Sequence, residues 1–289
     1  MSPVTVVTDT TCYLPPENVA RLAMTLVPLY IVFGPDRTLR ESDITDYSAF
    51  FEDLRSSDAL PTTSQPSPGD FATAYGRLLD EGRDIVSIHI SERLSGTSSS
   101  ARAAADQLRR DGRGGERIRV VDSQTAAGGL GIVALAAATA AAAGASADEV
   151  EERATTARSE LKMWFAVDTL EFFKRGGRIG AASAWIGSTL KIKPILTIEH
   201  ELRPIERVRT TARAFERLLA YARQRHDSGF DAWVVQHISA EEQAAKLVES
   251  CREVFGTEPL FVSEIGPVLG THAGPGLLGV GSVSTKLFE

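Results

Sequence analysis

The sequence Asp84-Ile-Val-Ser-Ile-His-Ile90, followed by Ser91-Glu-Arg-Leu-Ser-Gly-Thr-Ser-Ser-Ser-Ala101, decides how the rest of the chain is arranged. Its first part is a short apolar run typical of a buried strand, and Ser98–Arg110 favours a helix. The hydroxyl-rich turn between them therefore lies at a helix N-terminus, where unpaired N–H groups and the helix dipole attract an anion. Ordinary capping with solvated serines is an equally good interpretation of the turn alone.

Strands and helices alternate around this stretch. The pattern predicts strands at Val4–Thr8 and Arg117–Val121, and a helix with proline at its first position at Pro68–Glu81. An alanine-rich helix after Asp122-Ser123 completes a β-α-β-α order. Such an order predicts an α/β fold in which helices flank a parallel sheet.

The order of elements changes in the second half of the chain. Pro194–Ile198 and Leu202–Val208 flank a short turn and predict an antiparallel hairpin. The tail Gly266–Gly276 has too many glycine and proline residues for a helix or a regular strand, and Val280–Ser284 is expected to close the sheet. We therefore predict a mixed or antiparallel α+β sheet here.

Length and charge bound the class of protein. A chain of 289 residues is too long for one ordinary core and suits two domains, which we expect at residues 1–160 and 161–289. Its 31 basic and 38 acidic residues give a formal net charge of −7. Because like charges repel, this balance disfavours nucleic acid or an anionic membrane surface as the main partner.

The cysteines and the N-terminus point to a reducing compartment. Cys12 and Cys251 have a spacing that suggests neither a metal site nor a disulfide framework, so we expect no metal. No secretory signal is visible near Met1, so we expect none, and the longest uncharged span, Gly128–Ala145, is mostly alanine and suits an internal helix. We expect a cytoplasmic protein without stable membrane insertion.

Three loops rich in glycine or hydroxyl groups carry the candidate binding residues: Thr62–Ser67, Ser95–Thr97 and Gly270–Gly276. Loops after the carboxyl ends of parallel strands line the ligand crevice of an open sheet, so the first two loops should converge on one site. His272 alone would be an ordinary turn residue. The glycines beside it would let a backbone approach a ligand closely, which makes it a candidate.

Seven short motifs occur along the chain in order. They are Thr8-Asp-Thr-Thr followed by Leu14-Pro, Thr63-Ser-Gln-Pro-Ser, Leu94-Ser-Gly-Thr, Val121-Asp-Ser123, Thr169-Leu-Glu171 with Lys174-Arg-Gly-Gly-Arg-Ile-Gly180, Lys193-Pro-Ile-Leu196, and Gly270-Thr-His-Ala-Gly-Pro-Gly276. Each motif is weak alone, but together they cover almost the whole chain. In this combination the sequence resembles the DegV family of bacterial fatty-acid-binding proteins.

The resemblance implies a two-domain α/β protein that binds one long-chain fatty acid and no cofactor. The carboxylate would lie at the domain junction, against Thr63, Ser95 and His272, and the tail inside the second domain. An ionised carboxylate only accepts hydrogen bonds, and two hydroxyls plus an imidazole N–H can donate them. Thr97–Ser99 would then cap the helix behind Ser95.

The resemblance also implies a partner in some family members, where a fatty acid kinase phosphorylates the presented acid to an acyl phosphate. Arg175 and Arg209 are the candidate contacts with such a kinase or its nucleotide, although basic clusters are usually solvated. The candidate tail-lining residues, each of which could equally fill the second core, are Phe165, Phe172, Phe173, Trp185, Ile186, Leu190, Ile195, Ile265 and Leu269.

Two enzyme hypotheses compete with lipid binding. A serine acyl hydrolase would use Ser95 as nucleophile and His272 as base, but Ser95 is not in a Gly-x-Ser-x-Gly elbow and no acidic residue is obviously placed to orient His272. A phosphotransferase would need a phosphate-binding Gly-x-x-x-x-Gly-Lys-Ser/Thr motif and an acidic cluster for Mg²⁺; the sequence lacks the motif, and no acidic cluster is obviously placed for the ion. We therefore expect a lipid-binding protein whose catalytic step, if any, belongs to a partner.

Overall fold

The computed structural model describes residues 2–56, 60–186 and 192–289. The strands are β1 (Val4–Asp9), β2 (Thr25–Val27), β3 (Tyr30–Phe33), β4 (Arg37–Arg40), β5 (Thr62–Ser64), β6 (Asp84–His89), β7 (Ile118–Asp122), β8 (Lys162–Ala166), β9 (Lys193–Glu199), β10 (Glu201–Val208), β11 (Ala232–His237), β12 (Phe261–Glu264) and β13 (Leu278–Val283). The α-helices are α1 (Pro16–Arg21), α2 (Tyr47–Ser56), α3 (Pro68–Asp80), α4 (Thr97–Arg110), α5 (Gly128–Ala142), α6 (Ala147–Glu160), α7 (Glu171–Arg175), α8 (Thr211–Asp227), α9 (Glu241–Phe255) and α10 (Pro267–Ala273).

The first sheet is parallel, with strand order β2-β1-β6-β7. One face packs against α3 and α4, where Phe71 and Leu108 meet Val7 and Ile85 of the sheet. The other face packs against α5 and α6. The predicted α/β arrangement with helices on both faces is confirmed, and the apolar stretch that begins at Asp84 forms an interior strand, as expected for a run buried on both sides.

A small antiparallel sheet, β4-β3-β5, adjoins the first sheet. The apolar run Leu26–Phe33 is divided between two sheets, because Pro28 lies between β2 and β3 and cannot donate a backbone hydrogen bond. The segment from Thr62 to Ser64, which the sequence suggested was only loop, is strand β5. Its pairing with β3 sets Thr63 opposite Ile31 and so fixes the position of the Thr63 side chain.

The second sheet is mixed, with order β10-β9-β8-β13-β11-β12 and one parallel pair, β11 and β12. The predicted antiparallel hairpin is confirmed as β9 and β10. Strand β13 lies inside the sheet, antiparallel to both β8 and β11, and not at its border as a closing strand would. A Cβ at Gly279 of β13 would lie 2.9 Å from the Phe165 Cβ, so glycine leaves room there for the neighbouring aromatic residue.

The glycine-rich tail contains helix α10, so the prediction that Gly266–Gly276 excludes a helix was wrong. Pro267 occupies the first turn, where its missing N–H costs nothing. Gly270 lies inside the helix and packs directly against the Phe51 ring, which leaves no space for a Cβ. Gly274 has a φ of +73° and ends the helix. The glycines therefore serve close packing and helix termination.

A 3₁₀ helix follows α7 at Gly180–Trp185, and residues 187–191 lie outside the described part of the chain. Within the residues that the structure describes, the helices are all too short or too polar to span a bilayer.

Helix α5 joins the two halves through a common core. Almost every one of its side chains is buried, because the helix lies between the parallel sheet and the second sheet. Val86 and Leu130 belong to the same apolar cluster as Val234 and Val283. The two large sheets fall on either side of residue 160, which supports the domain limits 1–160 and 161–289, and these limits stay a prediction.

A buried polar chain ties together the ends of β1 and β6. The Asp9 carboxylate accepts hydrogen bonds from the Ile90 N–H and pairs with His89 Nδ1, both at 3.0 Å. His89 Nε2 then lies 2.7 Å from the Ser87 hydroxyl, which accepts from Tyr75 at 2.7 Å. All of these side chains have essentially no exposure. This hydrogen-bond network therefore aligns β1 and β6 before the hydroxyl-rich turn and is not accessible to a substrate.

Candidate functional site

An apolar cavity lies where the three sheets meet. Its space is about 990 Å³ when the part open to solvent is included. The larger apolar side chains in its wall are Leu29, Ile90, Leu94, Met163, Phe165, Phe173, Ile198, Leu202, Ile265, Val268, Leu269 and Leu277. The polar side chains in its wall are Thr63, Ser64, Gln65, Ser95, Thr125, Arg178, Gln236 and His272. A cavity of this composition suits a ligand with a long apolar part and a polar end.

Thr63 and His272 are joined directly, although they are far apart in the sequence. The Thr63 Oγ1 lies 2.8 Å from His272 Nε2. Strand β5 supplies the threonine and helix α10 the histidine. The convergence of these two candidates on one cavity wall is therefore a result of the tertiary structure.

The environment of His272 keeps its imidazole neutral. Burial, and after it the positive charge of Arg178, lowers the pKa of His272 to about 4. Its Nδ1 is buried against Gly176 and has no hydrogen-bond partner within the described residues. A proton on Nδ1 would be a buried donor without an acceptor, so the proton is better placed on Nε2, where it is donated to Thr63. The hydroxyl proton of Thr63 then remains free for a ligand.

Ser95 is held in a turn that the second half of the chain also contacts. The N–H groups of Leu94 and Ser95 donate to the Ser91 carbonyl at 2.9 and 3.0 Å. The Ser91 hydroxyl donates to the carbonyl of His200, at the turn between β9 and β10. The Ser95 hydroxyl lies 2.9 Å from Thr97 Oγ1 and lines the cavity.

The helix behind Ser95 starts differently from the prediction. We expected Thr97–Ser99 to cap it, but the N-cap is Gly96, and α4 has no side-chain cap. Thr97 bonds to Ser95 instead. Because no side chain satisfies them, the first N–H groups of α4 add to the positive potential at this end of the cavity.

The first two candidate loops converge, as the fold class predicted. Ser64 is the last residue of β5 and Gln65 follows it, whereas Leu94 and Ser95 follow β6, yet all four line one cavity. The loops also touch, because a Cβ at Gly96 would lie 2.8 Å from Gln65 Nε2. The rule that places ligands beyond the carboxyl ends of parallel strands accounts for this position of Ser95.

Arg178 is a wall residue, although it belongs to a basic segment of a type that is usually solvated. Its Nη1 donates to the Gly176 carbonyl at 2.8 Å, and its Nε to the Leu94 carbonyl at 3.3 Å. These bonds hold the guanidinium between the Ser95 turn and the end of α7. A guanidinium has five N–H donors, so several remain available to an anion. The sequence feature that could have indicated Arg178 is the contrast between this basic loop and the acidic net charge of the whole chain.

Four of the predicted tail-lining residues are in the cavity wall: Phe165, Phe173, Ile265 and Leu269. Ile195 is fully buried on the other face of the second sheet, among residues of α8 and α9. Phe172 packs against Gly274 just outside the cavity. Period-two alternation puts Ile195 on the opposite face of β9 from Leu196 and Ile198, and Ile198 is in the cavity wall.

The remaining candidates lie elsewhere. The Trp185 ring packs under the Arg207 guanidinium, 4.9 Å from its centroid, and the Ile186 side chain is 41% exposed. Neither lines the described part of the cavity wall. Leu190 lies outside the described residues. Arg175, at the end of α7, and Arg209, just after β10, are both exposed.

The geometry gives the hydrolase hypothesis no support. Within the described residues, His272 Nε2 bonds to Thr63 and not to Ser95, and no carboxylate contacts its Nδ1. A serine nucleophile needs a base in contact with its hydroxyl and a third group that orients the base.

The fold and the cavity define a class of α/β proteins in which two large sheets share a core and enclose an apolar cavity with polar groups at one end. A family model described as "Uncharacterised protein, DegV family" matches residues 3–285, and this chain belongs to the DegV family.

Similar proteins and solved structures support the same family assignment. A DegV domain-containing protein of Streptomyces coelicolor is 41% identical over 280 residues, covering 96% of this chain and 97% of that protein. A structure of a DegV family protein from Thermus thermophilus, described as showing fatty acid binding, has a TM-score of 0.86 at 35% identity, covering 98% of this chain and 99% of that one. The structure of DegV from Bacillus subtilis, described as a fatty acid binding protein, has a TM-score of 0.87 at 33% identity, covering 98% and 100%.

Proposed function

We propose that this protein binds a long-chain fatty acid, with its carboxylate at the polar end of the cavity and its acyl chain along the apolar wall. The observation that carries the proposal is the Thr63–His272 pair at 2.8 Å, in the same cavity wall as Ser95. The similarity to DegV proteins described as binding fatty acids supports the same ligand.

The carboxylate end would be bound by complementary donors. Thr63 and Ser95 offer hydroxyl protons, and Arg178 offers charge-assisted N–H groups from the mouth of the cavity. His272 would act through Thr63, because its Nε2 proton occupies one lone pair of the threonine oxygen and turns the hydroxyl proton outward. This differs from the direct imidazole contact that the sequence suggested.

Affinity and orientation would come from different parts of the site. A hydrogen bond to a charged group contributes about 1.5–3 kcal/mol, whereas a buried chain gains about 0.8 kcal/mol for each CH₂. Over a long chain the apolar term is larger. The wall would therefore set most of the affinity, and the polar end would set the direction in which the acid lies.

The proposal is tested by identifying the lipid that the protein carries. Native mass spectrometry of the purified full chain, followed by solvent extraction, should detect one fatty acid per chain. Ser95→Ala should reduce the preference for the acid over its methyl ester, whereas Ser99→Ala, on the exposed side of α4, should not. A protein that binds acid and methyl ester equally well would contradict the proposed carboxylate end.

We propose further that the bound acid is presented to a fatty acid kinase for conversion to an acyl phosphate. Arg175 and Arg209 are exposed, and Arg175 ends the helix that carries the wall residue Phe173. An exposed cation close to the wall residue Phe173 would suit a partner that delivers nucleotide phosphates, and Arg209 would add positive charge for the same partner.

The presentation step is tested with purified fatty acid kinase and ATP. Arg175→Ala and Arg209→Ala should slow acyl phosphate formation while leaving fatty acid binding unchanged. Arg223→Ala, at an exposed position of α8, is the matched control. If Arg175→Ala and Arg209→Ala support acyl phosphate formation as fast as Arg223→Ala does, these two arginines do not contact the kinase.

A further inference from the structure

Three potential metal ligands converge at the carboxyl ends of β11 and β12 in the second sheet. They are His237, the last residue of β11, Glu264, the last residue of β12, and Glu241, the first residue of α9. Because β11 and β12 are parallel and His237 is paired with Glu264 in register, both side chains leave the sheet at the same edge. One ligand atom from each of the three residues lies within 4.8 Å of the others.

The local contacts leave these groups available to a ligand. The His237 side chain is 8% exposed, and its only hydrogen bond within the described residues is a long one, 3.5 Å, from the Ala240 N–H to Nδ1. Glu264 accepts from the Ser239 N–H at 3.2 Å. Within the described chain, neither Glu241 nor Glu264 pairs with lysine or arginine, whereas the adjacent Glu242 pairs with Lys246 at 2.7 Å.

We propose that His237, Glu241 and Glu264 bind a divalent transition metal ion, for which Zn²⁺ is the best match. Two carboxylates balance the charge of the ion, and an imidazole nitrogen favours Zn²⁺ over Mg²⁺ or Ca²⁺, which prefer oxygen ligands. Ligand atoms of a tetrahedral Zn²⁺ ion, each about 2.1 Å from it, are about 3.4 Å apart. The three ligand atoms here lie within 4.8 Å of one another, so side-chain rotations that bring them closer by at most about 1.4 Å would give this spacing.

The site would be separate from the cavity, although Gln236 and Ile265, the neighbours of His237 and Glu264, are in the cavity wall. None of the three residues lines the apolar cavity within the described residues. The ion would join β11, β12 and α9, so it would stabilise the second sheet. The cysteine spacing predicted no metal, and it carries no information on a site in which Glu264 comes from a strand remote in sequence from His237 and Glu241.

The test is titration of the metal-stripped full chain with ZnCl₂ by isothermal calorimetry. We expect one ion per chain and a rise in melting temperature. Glu241→Gln should weaken binding at least about tenfold, since even residues outside the first coordination shell typically contribute 10- to 100-fold. Glu242→Gln, the neighbouring exposed glutamate, should leave the affinity unchanged.

Two further measurements keep the proposal testable. His237→Gln should also weaken binding, and its folding is checked by fatty acid binding, which should be unaffected. MgCl₂ and CaCl₂ should bind far more weakly than ZnCl₂. No zinc binding by the wild-type chain, or equal zinc affinity in the Glu241→Gln and Glu242→Gln variants, would overturn the proposal.

Discussion

Replacing Thr63 with valine should change how the cavity recognises a carboxylate while leaving its shape intact. Valine has the size of threonine and suits strand β5, but it removes the hydroxyl that lies 2.8 Å from His272 Nε2. The ligand loses a hydrogen bond to its charged group, which is worth about 1.5–3 kcal/mol. At 1.4 kcal/mol for each factor of ten, the dissociation constant for a fatty acid should rise about 10- to 150-fold.

The assay compares a fatty acid with its methyl ester on both proteins. The ester keeps the apolar chain but not the charge, so its affinity should change much less than that of the acid. Thr62→Val is the matched control, because Thr62 is the preceding residue of β5, is exposed and is not in the cavity wall as described. Equal losses for acid and ester, or no loss for either, would refute a carboxylate contact at Thr63.

The same variant should also be less stable. Without Thr63 the buried His272 imidazole loses its hydrogen-bond partner, and an unsatisfied buried polar group costs about 1–3 kcal/mol. Urea unfolding of the ligand-free proteins measures this cost, and affinities should be compared only under conditions in which both proteins are folded.

Three other predictions concern the helix that carries His272. Burial lowers the pKa of His272 from 6.5 to about 4, so between these pH values the unfolded chain binds a proton that the folded chain does not. The free energy of unfolding should therefore fall by at most about 3 kcal/mol as the pH drops from 6.5 to 4. Unfolding measured against pH should show a smaller fall in His272→Gln. Gly176→Ala should displace the imidazole and cost about 1–3 kcal/mol in urea unfolding, whereas Gly69→Ala, whose Cβ meets nothing closer than 3.5 Å, should be tolerated. Glu41→Ala should destabilise the protein by about 3 kcal/mol or more and weaken fatty acid binding, because the buried carboxylate accepts a hydrogen bond from the N-terminus of α10. Asp43→Ala, at the surface, should change neither property. An unchanged melting temperature and an unchanged fatty acid affinity in Glu41→Ala would exclude this role.

Glu41 shows how the structure couples distant segments to the site. Its carboxylate accepts from the Tyr13 hydroxyl at 2.6 Å and from the Val268 N–H at 2.8 Å. Burial raises the pKa of this carboxyl group. A buried carboxylate is tolerated only with such partners, so Tyr13 and Glu41 together fix where α10 begins. Nothing in the sequence around Glu41 indicates this contact.

Local sequence determined the elements that precede the site. The apolar run from Asp84 forms an interior strand, and the hydroxyl-rich turn follows it at a helix N-terminus, because periodicity and turn chemistry act within a few residues. The prediction for the tail Gly266–Gly276 was wrong. Counting glycines predicted no helix, yet α10 forms because Gly270 packs against Phe51 and the energy of that contact outweighs a low helix propensity.

The sequence by itself determined the α/β class, the parallel sheet, the hairpin and the candidates Thr63, Ser95 and His272, because each depends on short-range pattern or on motifs. Only the tertiary structure decided that His272 contacts Thr63, that Arg178 enters the cavity wall, and that Ile195 faces the opposite side of the sheet from Phe165. These outcomes depend on which strands pair and on which face each strand buries. Hydrogen bonds and packing between segments far apart in the chain set both, and no local pattern records them.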